Sequence, residues 1–370
     1  MTGNMRKSII MLASFSVAAV CSCGHGAKTL TVTNSTGIDR KAETVEVCLD
    51  SLGGIPAGRV TVWNSGGVQI PSQIVSGNIL VFQADVKANS SASYVCREGK
   101  RMQMDTMAYS RHVPERMDDY AYENNLVAGR IYGPALSDPR TFGPDIWLKS
   151  TDRMVIDKWF ALADYHHDHG EGLDCYKVAN TLGGGACAPV YGEHIAIGNN
   201  WASMTTLCSG PVRTAAEFVS SPFRAGGEEV NAERTLTLDA NTRLVKWTVT
   251  FSAAADSLDV VLGAVLHDVV SREDGNGWIS FTEKASDSSD PERDGNISVG
   301  LVLESGRNAV PGTLDGHAVL RFKVRCGEPV TYWTASGWSK GGVGSPEAWN
   351  GYMKEQAEAV NAPLAVKIEK

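Results

Sequence analysis

Between Leu30 and Arg97 apolar and polar residues alternate in short runs separated by turn formers. The runs at 44–49, 58–63, 67–70, 79–83 and 93–96 have a period of two and are rich in β-branched residues, which predicts strands with one buried face. Asn64-Ser65-Gly66-Gly67 predicts a hairpin turn between two of them. Strands at this density predict a small β-sandwich over 23–100, and no titratable cluster falls within it. The polar, Met-rich stretch that follows predicts a linker at 101–114, or a strap across the next unit. A second alternating series, at 231–238, 243–251, 257–266, 277–282, 298–304, 317–325 and 328–332, predicts a large sandwich of two extensive sheets over 115–370. Residues 349–360 carry the strongest helical spacing, through Tyr352, Ala357 and Val360. The expected fold class is mostly β.

The N-terminus has a different pattern. Arg6 and Lys7 precede an apolar run at 8–20 that is too short to span a bilayer comfortably, which predicts a cleaved signal peptide over 1–22. Val20-Cys21-Ser22-Cys23 resembles a bacterial lipobox, so the chain is expected in the periplasm or at the outer membrane, held by a lipid on Cys23. A soluble exported protein is the alternative. The formal net charge is −8, and losing Arg6 and Lys7 takes it to −10. With no long basic run, nucleic acid is excluded as a partner, and an acidic ligand would need a local Arg or Lys. Beyond Cys21 and Cys23, an even number of cysteines in an oxidising compartment allows disulfides. Cys48–Cys96 is one option and buried free thiols are the other.

Candidate chemistry concentrates in three places. Residues 165–176 hold His166, His167 and His169, three of the eight histidines. If this stretch is extended, Tyr165, His167, His169 and Glu171 share one face, with His166 and Asp168 on the other. His167, His169 and Glu171 then form a candidate divalent metal site, for Zn²⁺ or Ca²⁺; without metal, one imidazole could act as general base. Residues 115–132, read as a strand, place Tyr120, Tyr122, Asn124, Leu126, Arg130 and Tyr132 on one face, as a sugar groove needs. Residues 331–342 add Trp333, Trp338 and Lys340 as a candidate ligand platform. The acidic run at 284–296 lacks a calcium-loop pattern, and the glycine cluster at 181–185 has no P-loop Lys.

The passages 115–133, 164–185 and 331–340, with YHHDHGEGLD as the most specific stretch, resemble the domain of unknown function 4861 family. The resemblance covers essentially the whole chain after the signal peptide. It implies an exported protein of the kind found among pectin-utilisation genes of Bacteroidota-type bacteria. It also implies that the larger unit is a β-supersandwich of the galactose-mutarotase type, shared with several polysaccharide lyases. Typical members have Trp where this chain has Tyr122. The expected partner is an acidic oligosaccharide or polysaccharide. β-Elimination would use Arg130 or Arg116 on the carboxylate, His167 or His169 as base and Tyr122 or Tyr165 as acid, with Glu171 near by. Hydrolysis would draw on Glu123, Asp168, Glu171 and Asp174. A non-catalytic glycan-binding lipoprotein and a sugar epimerase or mutarotase are the alternatives.

Overall fold

The alternating runs pair almost entirely into antiparallel sheets. The computed structural model describes residues 26–136, 138, 141–162, 164–285 and 287–369. The expected signal peptide and Cys23 lie outside them.

Two small sheets form the N-terminal unit. One has the order Ala365–Ile368, Lys28–Asn34, Ser90–Glu98, Val60–Asn64, Gln69–Ile70, and the other the order Arg40–Cys48, Ile79–Val86, Ser72–Val75. Leu30, Val32, Val45, Val47, Val62, Phe82 and Tyr94 fill the space between them. The expected turn forms, with the Asn64 carboxamide oxygen accepting from the Gly66 and Val68 amides and Gly67 at φ +73°. The strand Ala365–Ile368, which the sequence grouped with the larger unit, instead pairs with Lys28–Asn34 in the register Leu30↔Ile368 to Thr33↔Ala365. Cys48 and Cys96 lie on different sheets and are free, one exposed and one buried. Burial pushes the Cys96 thiol up to about 12.

A nine-stranded sheet dominates the larger unit and includes the late strands at Glu228–Asp239, Leu244–Ser252, Pro329–Trp338, Asn296–Leu303 and Trp278–Lys284. Its inner face, with Phe218, Leu236, Trp247 and Leu301, packs against two five-stranded sheets. One of these carries Ser257–Val265 and His317–Arg325 at its centre. The other has the order Gly172–Asp174, Asp145–Lys149, Ala128–Ile131, Asp119–Asn124, Ala108–Val113. Its last strand falls where a linker was expected, because Ala108 and Val113 are buried and Tyr120 pairs with His112.

The helix Pro346–Asn361 starts at Ser345, whose side chain accepts from the Ala348 amide, and Pro346 occupies the first turn. Trp349, Met353 and Ala357, at four-residue spacing, bury against the outer face of the nine-stranded sheet. Among the described residues no helix is long and apolar enough to cross a membrane.

Candidate functional site

The segment 115–132 is a hairpin rather than one strand. Asp119–Asn124 turns through residues 125–127 into Ala128–Ile131, with Ala128 opposite Glu123 and Arg130 opposite Ala121. Asn124 makes the turn. Its Oδ1 accepts from the Leu126 and Val127 amides at 2.7 and 2.8 Å, and its Nδ2 donates to the carbonyls of Asp239 and Thr242 at 2.6 and 2.7 Å. Directly paired residues share a face, so the reversal puts Arg130 with Asp119, Ala121 and Glu123, away from Tyr120, Tyr122 and Asn124.

The tyrosine face is core. Tyr122 meets Trp247 edge-on at 6.5 Å, and burial drives its hydroxyl far above the usual phenol range. A Cβ at Gly129 would come within 2.7 Å of the Tyr122 hydroxyl, so glycine is what lets that ring lie across the strand. Tyr120 shares hydrogen bonds with Ser110 and Thr206 at 2.8 and 2.9 Å. Neither tyrosine nor Asn124 faces a groove, which corrects their expected roles in catalysis and sugar binding.

On the opposite face Arg130 is 3% exposed and stands at the centre of three carboxylates. Its Nε donates to Asp145 at 2.9 Å, Nη2 to Asp174 at 2.9 Å and Nη1 to Tyr165 Oη at 2.9 Å, with Asp119 3.5 Å from Nη1. Its fork is therefore occupied, and the expected direct grip on a substrate carboxylate does not hold. Tyr132 Oη donates to Asp145 at 3.2 Å. Burial, then repulsion from Asp174, pushes Asp145 up to about 8. Burial also raises Asp174, to about 6, with Asp287 adding to the rise and Arg130 and Arg116 opposing it. Both carboxyls therefore lie above the ordinary carboxylate range. Burial, with the Asp145 charge, raises Tyr132 as well, keeping its phenol neutral.

Over this cluster lie three side chains. Arg116 is half-buried, and its Nη1 is buried with no hydrogen-bond partner among the described residues. Tyr132 is half-buried. His166 is 56% exposed; its Nδ1 lies 3.0 Å from the Asp174 carbonyl and 3.6 Å from the Asp174 carboxylate. A carbonyl only accepts, so Nδ1 carries a proton, and in the neutral ring Nε2 is the nitrogen left to accept one. The ring tilts over Tyr165 with centroids 4.7 Å apart.

The segment 164–171 is a folded loop rather than an extended strand. His167 Nδ1 faces Asp164 Oδ2 at 2.5 Å and its Nε2 is 3.4 Å from Ser289 Oγ, while His169 Nε2 donates to the Asp164 carbonyl at 2.9 Å. Glu171 pairs with Lys158 at 2.6 Å. The expected trio of His167, His169 and Glu171 thus does not converge, and among the described residues no group of three His, Cys, Asp or Glu side chains is arranged to hold a metal ion. Asp168 closes the loop by accepting from the Gly170 and Gly172 amides. Glu123 is buried against Lys149 at 3.0 Å and accepts from the Val155 and Ile156 amides, so it anchors the cover of the sheet.

The third expected platform lies elsewhere. Trp338 is core, donating to the Asp294 carbonyl at 2.6 Å, with Lys340 5.4 Å from its ring centre. Trp333 sits opposite Lys246 on the outer face of the nine-stranded sheet. Of the expected residues, the structure gathers Arg116, Arg130 and Tyr165. Sequence reasoning set Tyr132 on the face of Arg130, missed His166, Asp119 and Asp145 as parts of the same cluster, and counted Asp174 only for hydrolysis.

Comparison with known proteins places this architecture. The chain is 27% identical over 407 aligned residues to uncharacterized protein P7 of Formosa agariphila, covering 98% of this chain and all of that one. Its fold is similar to part of a glycosyl hydrolase family 38 protein from Enterococcus faecalis, with TM-score 0.55, 10% identity, 94% of this chain and 48% of that one. An α-mannosidase from Enterococcus faecalis V583 aligns with TM-score 0.51, 9% identity, 94% of this chain and 46% of that one. The chain spans about half the length of those two structures, and the likeness is one of multi-sheet, antiparallel β architecture. Residues 32–366 match the family model described as domain of unknown function (DUF4861), and the chain belongs to that family.

Proposed function

We propose that this protein acts on an acidic, pectin-type glycan by β-elimination at the mouth above Arg130, and that its larger unit is a galactose-mutarotase-type supersandwich. Export, with a lipid anchor on Cys23, is part of the same reading. The observation that carries it is the grouping of a partnerless guanidinium nitrogen, an imidazole with a free Nε2 and a neutral phenol around one buried Asp–Arg cluster. Arg116 would receive the uronate carboxylate and stabilise the charge that develops when the neighbouring C–H bond breaks. His166 Nε2 would take the C5 proton, with Nδ1–H held by the Asp174 carbonyl. The C5 electron pair forms the C4–C5 double bond, the C4–O glycosidic bond breaks, and the leaving oxygen takes a proton from Tyr132, backed by the Asp145–Asp174 pair. Hydrolysis fits less well. It needs two carboxylates open to the bond, whereas Asp145 and Asp174 are buried and Glu123 is engaged with Lys149.

The test is incubation with a panel of pectic oligosaccharides, followed by the ultraviolet absorbance of unsaturated uronates and by mass spectrometry. New absorbance without gain of water is the expected result. Gain of water without absorbance would replace elimination by hydrolysis, and neither change would leave binding alone.

A further inference from the structure

A second concavity is lined by none of the residues of the Arg130 cluster. The strand Arg40–Cys48 of the small unit, the outer face of the nine-stranded sheet and the helix Pro346–Asn361 enclose a groove of about 940 Å³. That is near the upper end of the range for small-molecule sites, roughly 300–1,000 Å³, and suits a short oligosaccharide better than a single sugar. Trp333 lines it as a half-buried ring, and Tyr352 borders it on the helix side. Of the two tryptophans that the 331–342 stretch singled out, Trp338 is core and Trp333 lines this groove.

The groove carries four basic side chains against five acidic ones, and both of its arginines are paired. Arg213 holds Asp239 and Glu46 at 2.6 Å each, and Arg40 is clamped on Glu43. Neither arginine offers a free fork to a carboxylate, and Lys41 and Lys246 stand among an excess of acidic side chains, so the lining does not favour an acidic ligand. It does present side-chain donors and acceptors held in place by their own pairing, which is what sugar hydroxyls require. Thr44 adds a buried Oγ1 with no hydrogen-bond partner among the described residues, and Thr44 lines this groove. A buried hydroxyl without a partner costs free energy that a ligand hydroxyl would recover.

We propose that this groove is a second glycan site, which takes a neutral oligosaccharide by laying the C–H face of a sugar on Trp333 and pairing a hydroxyl with Thr44. It stands independently of the elimination chemistry above, because it needs binding only and uses other residues. Both would let one protein hold the neutral and acidic parts of a mixed glycan.

The experiment is calorimetric titration of the full protein with neutral tetrasaccharides of galactose, arabinose, xylose and glucose, and with trigalacturonate. At least one neutral member should bind. Trp333→Ala should weaken it roughly tenfold or more, as expected for loss of an aromatic platform, and Thr44→Val should weaken it measurably. Trp333→Phe keeps a ring and the packing, and should retain most of the affinity if Trp333→Ala proves unstable. Amide exchange at 40–46 and 331–335 should slow on binding. Failure of every neutral tetrasaccharide to bind overturns the proposal, as does affinity unchanged in both Trp333→Ala and Thr44→Val with no protection at those segments. The absorbance assay on uronates reports on the first site alone, so either reading can fail without the other.

Discussion

His166, His167 and His169 differ in what holds each ring. His167 lies against an exposed carboxylate and His169 donates to a carbonyl of its own loop, whereas His166 is tied to the backbone of Asp174 beside the buried cluster. His166→Ala should lower kcat on a uronate substrate about 10²–10⁴-fold with little change in melting temperature. His167→Ala and His169→Ala should stay within roughly tenfold of the parent, which steady-state kinetics on the three variants will decide. The Asp145–Asp174 pair makes a further prediction about pH. Both carboxyls hold protons more tightly folded than unfolded, since their folded values of about 8 and about 6 exceed the ordinary 3.8. Their contribution to stability is therefore complete below about pH 4 and is lost as pH rises through about 6 and about 8. Melting temperatures measured across this window should fall more steeply for the parent than for Asp145→Asn. Parallel curves would show that the pair keeps ordinary proton affinities.

The hairpin Asp119–Ile131 shows what a sequence can and cannot reveal about an element. The late strands were legible because they are half-buried and alternate, as in Val245, Trp247, Val249 and Phe251 along one face of Leu244–Ser252. Every residue of Asp119–Asn124 is buried, because one face packs on the main core and the other is covered by the segment that Glu123 anchors. Alternation then carries no inside–outside contrast, and the turn at 125–127 contains no glycine or proline to mark it. Reading straight through the turn moved Arg130 to the wrong face. The cluster itself brings Asp145 and Asp174 from other strands of the sheet, and only pairing makes them neighbours of Arg130. Because the turn rests on Asn124, Asn124→Ala should destabilise the fold by about 1–3 kcal/mol for the amides and carbonyls it leaves buried and unpaired. Denaturant unfolding measures this, and a cost near zero would mean that the backbone alone specifies the turn.

Across the whole molecule, the small unit is assembled from both ends of the described chain. Ala365–Ile368 covers the edge of Lys28–Asn34, and Thr31 donates to Glu369 across 338 residues of sequence. Removing residues 364–370 should expose that edge and the flank of the Leu30–Val32 core. Limited proteolysis with mass spectrometry should then show cuts within 28–98 before any within 228–338, and the parental cleavage pattern would show that the last strand adds nothing. The same closure sets an order in time. Any contact that spans 338 residues must wait for the intervening chain, and such long loops close slowly. Until the last strand arrives, Lys28–Asn34 presents a row of unpaired amides and carbonyls to any extended segment near by. The first-made part of the fold is thus among the last to be sealed, and while it waits it is where a folding intermediate would recruit a second chain.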